Sequence, residues 1–158
     1  MPADAHVTVI DERTAEAKTY RTDGFWQLKY RAYLADSNTT PDRMTVLKAR
    51  LNAAFPPDQS MEVRVQRFDI LWDFSGIAPK SIGFVGNMAV PTDLGNGNNA
   101  MYCILEASVK GQKLRAESSS NYHQGAFDNV YGKEGTRATQ ACIDQVIRGW
   151  LDVAPVGK

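Results

Sequence analysis

Apolar residues recur along this chain with two different periods, and the points where the period changes mark the elements. His6-Val7-Thr8-Val9-Ile10-Asp11 is a β-branched run closed by the charged stretch Asp11-Glu12-Arg13, which predicts a first strand leading into a polar loop. From Phe25 the alternation is strict: Trp26, Leu28, Tyr30, Ala32 and Leu34 share one side, and Gln27, Lys29 and Arg31 the other. A half-buried second strand follows from that period of two.

The period then lengthens. After the turn cluster Asp36-Ser37-Asn38-Thr39-Thr40, Thr40 supplies an N-cap, Pro41 a first helical position and Asp42 an early acid, so a helix is predicted to begin at Pro41. Met44, Leu47, Leu51, Ala54 and Phe55 form its apolar stripe, Arg43, Lys48, Arg50 and Asn52 face away, and Pro56-Pro57 ends it.

Met61 to Phe74 returns to a period of two but changes phase partway. Met61, Val63 and Val65 share one parity, whereas Phe68, Ile70, Trp72 and Phe74 share the other. One extra residue near Gln66-Arg67, a β-bulge, brings both sets to one face. Asp69, Leu71 and Asp73 then fall on the opposite, solvated face.

Gly76 to Lys80 reads as a connector, and Ser81 to Val90 as a fourth strand with Ile82, Phe84, Gly86, Met88 and Val90 in phase. Pro91 to Asn99 is a turn-rich loop with little capacity to bury itself and is expected to be mobile. Met101, Cys103, Leu105, Ala107 and Val109 form the next inward set, and Lys110-Gly111-Gln112 reverses the chain into Lys113 to Asn121. That second arm is small and polar on both faces, which suits an edge strand. Gly135 to Val153 is the longest predicted helix: Ile143, Val146, Ile147, Trp150 and Leu151 fit one stripe, Thr136 is the expected cap, and Pro155 closes the end.

The order is thus β-β-α-β-β-β-β-α. It implies an α+β two-layer sandwich in which an antiparallel sheet of about five to six strands carries both helices on one face, Trp72 and Trp150 pointing into the shared interior. With 158 residues, 43% apolar and 23% charged, the chain reads as one soluble folded domain over 1–158, residues 1–5 and 154–158 being loose termini.

Eighteen basic residues balance eighteen acidic ones, which argues against nucleic acid as a partner. No window approaches the roughly 18 apolar residues of a membrane-spanning helix. Met-Pro-Ala-Asp-Ala-His shows no secretory signal as written, and such a start suits both a cytosolic protein and a trimmed exported one. Cys103 and Cys142 lie too far apart for a CxxC pair or a zinc knuckle. Two buried free thiols are the more ordinary reading; a disulfide stapling helix to sheet is the alternative, and it points to an oxidising compartment.

No catalytic constellation is legible. Ser120, His123 and Asp128 contain the components of a triad without a nucleophile elbow, and a loop histidine beside a polar strand is the ordinary reading. Asp93 to Asn99 lacks calcium-loop spacing, Gly95-Asn96-Gly97 lacks the lysine of a phosphate loop, and neither His6 nor His123 has a metal-ligand spacing, so neither cofactor nor metal is expected. The residues that suit a contact surface are Asp93, Asn96 and Asn98 in the first loop, and Tyr122, His123 and Phe127 in the second.

Val7-Thr8-Val9-Ile10-Asp11-Glu12-Arg13, then Leu47-x-x-x-Leu51-x-x-Ala54-Phe55, then Val63-x-Val65 and Phe68-x-Ile70, resemble small outer-membrane lipoproteins of Gram-negative bacteria of the YajG-like and LptE-like type. In those domains a short Asp-x-Arg strand, a helix, several antiparallel strands and a long C-terminal helix follow in similar order. The lipobox cysteine and signal segment of such lipoproteins are not found in these residues, so a lipid anchor would lie on a segment outside them. The resemblance implies a non-enzymatic binding or assembly module of the bacterial cell envelope, at the periplasm and the inner face of the outer membrane, whose partner is a protein or another envelope component. Two other readings stay open. One is a cytoplasmic immunity or adaptor protein that blocks a protein partner, and the other is a small enzyme or ligand carrier with a helix–sheet pocket near His123.

Overall fold

The computed structural model of the chain describes residues 6–23, 31–73, 79–94, 98–123 and 133–154. Phe25 to Tyr30 of the second predicted strand, Phe74, Asn96, Phe127 and Asp128 lie outside those residues, as do 1–5 and 155–158. Ala154, expected to be loose, is buried, with its N–H donating to Trp150 O at 3.0 Å.

Strands β1 (Val7–Asp11), β2 (Arg21–Asp23), β3 (Arg31–Tyr33) and β4 (Met61–Asp73) are followed by β5 (Pro79–Val85), β6 (Met88–Leu94), β7 (Asn98–Val109) and β8 (Gln112–His123). Helix α1 (Arg43–Ala54) precedes β4, and α2 (Lys133–Val153) follows β8. Six strands form one sheet in the order β2-β3-β4-β7-β8, with β1 also alongside β4. The α+β class is therefore as expected.

The sheet is mixed, however, because β1 runs parallel to β4, Val7 opposite Met61 and Asp11 opposite Val65. The reason is α1: a helix between two strands supplies the long crossover that a parallel pair requires. Among the later strands the short connections give antiparallel pairs as expected.

The segment expected to be a single fourth strand, Ser81 to Val90, is instead a hairpin of its own, β5 paired with β6 around Gly86 at φ 64°. A turn of two residues leaves the parity of apolar positions unbroken, so alternation did not reveal it. Of the loop expected over 91–99, residues 91–94 belong to β6 and Asn98 and Asn99 to β7.

In β4 the register against β7 shifts between Val65 and Arg67, and Met61, Val63, Val65, Phe68 and Ile70 all face the interior. This is the expected bulge. Trp72 packs against that interior and Trp150 is fully inside it, its indole Nε1–H donating to Ala107 O at 3.2 Å.

The helices cover the same face. Leu47, Leu51 and Phe55 of the α1 region and Ala138, Cys142, Ile143, Val146, Ile147 and Trp150 of α2 share one cluster with the sheet. Helix α1 starts at Arg43, not Pro41, and the cap is Asp42, whose carboxylate accepts from Thr45 N at 2.9 Å. Ala54 is exposed, and Arg43, expected to face water, is completely buried.

The sheet explains Arg43. The outer edge of β4 is occupied by β1 as far as Val65 and by β3 from Leu71, with Leu34 N donating to Ile70 O. Between them no strand among the described residues reaches Phe68 O, and Arg43 Nη1 donates to it at 2.9 Å. Nη2 donates to Leu34 O and Ala35 O at 2.7 and 3.1 Å. Nε lies 3.3 Å from Asp36 Oδ1 without a hydrogen-bonding angle. Burial pulls the Arg43 pKa down to about 10, against the opposing pull of Asp36. Arg13, in the stretch expected to be a polar loop, is also buried, held between Asp11 and Asp36 at 2.9 and 2.7 Å.

Cys103 on β7 and Cys142 on α2 are joined, Cα to Cα 6.0 Å, so the free-thiol reading gives way to the disulfide. The strand and helix present both cysteines to one interior, and that shared interior is what brings them into reach.

Candidate functional site

At the end of the β7–β8 hairpin remote from its turn, Asn98 pairs with His123 and Asn99 with Tyr122. Adjacent pairs in a ladder point to opposite faces. His123 and Asn98 are exposed and share one side, Nδ1 lying 3.4 Å from Asn98 Oδ1. Tyr122 and Asn99 turn inward, where Trp72 Nε1 donates to Tyr122 Oη at 2.8 Å and Asn99 Nδ2 reaches it at 3.4 Å. Burial raises the Tyr122 pKa above the ordinary phenol value.

Of the six residues expected to form a contact surface, the fold thus brings Asn98, Tyr122 and His123 together. Tyr122 belongs to the interior, so its expected place on that surface is corrected. Asp93 sits on β6 opposite Ser81, and Asn96 and Phe127 lie outside the described residues. Ser120 shares the inward side with Tyr122, so it and His123 belong to opposite faces of the sheet and do not form a serine–histidine couple.

The face of the sheet turned away from the helices carries a second constellation. Tyr33, Leu71, Tyr102 and Ser119 stand opposite one another across β3, β4, β7 and β8, and Ile104 lies one row along, between Asp69 and Glu117. Leu71, Tyr102 and Ile104 line a shallow open depression of about 590 Å³ with Arg31, Glu117 and Ser119 at its sides. Tyr102 is 41% exposed, and the Arg21 guanidinium lies 4.5 Å from the centre of the Tyr33 ring.

Around this centre the charges pair among themselves. Arg67 Nε holds Asp69 at 2.6 Å, Arg31 lies 3.9 Å from Asp73, and Arg115 bonds Glu106 at 3.0 Å and also Glu117. An aromatic and aliphatic centre inside a rim of arginine–carboxylate pairs suits contact with another macromolecule, where desolvated aromatics dominate binding and rim charges set orientation. No group of three or more metal-ligating side chains occurs among the described residues.

Sequence reasoning placed Leu71 on the solvated face but gave it no role, and it passed over Tyr102 and Ile104. The signal was present in their parity: a leucine, a tyrosine and an isoleucine occupy positions that alternation assigns to water. Comparison with family models, curated proteins and solved structures finds no match to this chain.

Proposed function

We propose that this chain is a non-enzymatic binding or assembly module of the bacterial cell envelope, facing the periplasm, which takes a protein partner on the open face of its sheet at Leu71, Tyr102 and Ile104. The observation that carries the reading is the buried Cys103–Cys142 bond, since structural disulfides belong to oxidising compartments such as the periplasm. The chemistry of the open face supports the second half, being apolar at its centre and charged around it.

The test has two arms. In cells producing the protein, alkylation before and after reduction should show both cysteines blocked until reduced; free thiols in the native host would place the chain in a reducing compartment and end the envelope reading. A photo-crosslinking residue at Tyr102 should capture one recurrent envelope protein that the same probe at Lys48 of α1 does not. Equal labelling from both positions would remove the open face from the reading.

A further inference from the structure

Strand β8 runs for 12 residues, and among the described residues no strand pairs with its outer edge. The turn at Lys110 and Gly111, with φ of 52° and 77°, closes on the pair Val109 and Gln112, which in a two-residue hairpin is a hydrogen-bonded pair. Gln112, Leu114, Ala116, Ser118, Ser120 and Tyr122 therefore direct their backbone groups toward β7. Lys113, Arg115, Glu117, Ser119, Asn121 and His123 direct theirs outward.

Monomeric proteins blunt such an edge with charged side chains, proline, a bulge, a short strand or a covering helix or loop. β8 contains no proline, and its register against β7 runs without a shift. Among the described residues its guard is charge: Arg115 bonds Glu106 and Glu117 of its own chain, and the order of the charges along the edge is self-complementary.

We propose that β8 pairs antiparallel with β8 of a second copy of this chain, about a two-fold axis at Ala116. In that register Arg115 of each copy stands directly opposite Glu117 of the other, and both belong to the outward-directed set. Lys113 meets Ser119, and Ala116 meets its own counterpart. Moving the axis to Glu117 sets Glu117 against its own counterpart with no attractive pair in return, and moving it to Arg115 sets Arg115 against itself although Lys113 then meets Glu117. The register at Ala116 is the one of the three in which no like charges face each other.

The helix layer permits the approach. α2 turns Asp144 and Gln140 toward the α1 side, through Arg50 Nη2 to Asp144 at 3.0 Å and Gln140 Nε2 to Pro41 O at 3.3 Å. Its other flank, above β8, carries Ala141, Gln145 and Gly149 at four-residue spacing, and a Cβ on Gly149 would lie 3.5 Å from that of Ala116. Ala141 and Gly149 leave room there for the second α2, with the exposed Gln145 between them free to turn aside.

Sedimentation of the full, oxidised chain over a concentration series should show a monomer–dimer equilibrium. Glu117→Arg and Arg115→Glu should each weaken the dimer roughly tenfold, since each sets like charges opposite in two places. Mixed together, the two variants should recover a heterodimer, because each then meets its complement. Ala116→Cys should give an intermolecular link between the introduced thiols on mild oxidation, which Ala53→Cys on the exposed side of α1 should not. A chain monomeric at every concentration overturns the proposal. So does a dimer that neither charge variant weakens, or an Ala116→Cys chain that links no faster than the Ala53→Cys control.

Discussion

Arg43 donates through Nη1 to the carbonyl of Phe68 at the one stretch of the outer edge of β4 that lies between β1 and β3. A guanidinium thus takes the place of a strand. It also ties α1 to the chain at Leu34 and Ala35, so a single side chain joins the helix layer to the sheet.

Arg43→Ala should destabilise the protein by about 3–5 kcal/mol, because it strips buried carbonyls of their donor and leaves Asp36 with only Arg13 as a close buried cation. Arg43→Lys keeps the charge but cannot span carbonyls in two directions, and should cost roughly 1–3 kcal/mol. Urea unfolding of the two variants measures both values. An alanine variant within about 1 kcal/mol of the parent would show that the gap does not need filling.

Asp11 sets an acid limit. Partial burial disfavours its charge, but hydrogen bonds and the positive charge of Arg13, with Lys18, overcome this and lower the pKa from 3.8 to about 2. The sign follows: above 3.8 the carboxylate is ionised folded or unfolded, and its stabilising effect is fully present. As pH falls from 3.8 toward 2 the unfolded chain takes up the proton first, and the stabilisation is lost. Asp11→Asn should flatten the pH dependence of the urea midpoint in that interval. A variant with the parent's slope there would assign the acid sensitivity elsewhere.

The cross-link closes a loop of sequence separation 39, for which chain entropy gives about 4 kcal/mol of stabilisation. A Cys103→Ala/Cys142→Ala double variant should lose an amount of that order. Because both sulfurs are buried, the native protein should resist mild reductants, and reduction should accelerate sharply at denaturant concentrations that open the α2–β8 contact. Reduction at the same rate with and without denaturant would contradict that burial.

Gly149 lies in the interior of α2, where glycine is a poor helix former. Alanine there would bring its methyl 3.5 Å from Ala116 Cβ, an ordinary contact. Gly149→Ala should therefore raise stability by about 1 kcal/mol, whereas Gly149→Leu should lower it by forcing helix from strand. Thermal unfolding of the pair distinguishes them, and a destabilised alanine variant would mean the space is tighter than this separation.

What the sequence made legible was what a single element decides alone. The phase change in β4 exposed its bulge because Val65 and Phe68 cannot both face inward without an extra residue, and the stripe from Ile143 to Leu151 announced α2. Arg43 was misread because its burial answers a vacancy created by β1 and β3, two strands from other parts of the chain. The cysteines were undecided because a thiol on an apolar face looks the same whether bonded or free. The β5–β6 hairpin was hidden by parity, and Leu71 with Tyr102 became a patch only when β4 and β7 set them opposite each other.

The Cys103–Cys142 bond encloses β8 and the first half of α2 in a covalent ring. Neighbouring molecules cannot trade that strand or helix without breaking the bond, so domain swapping by this part of the chain is barred once oxidation is complete. Whatever joins at β8 must add from outside and can leave again with both chains still folded.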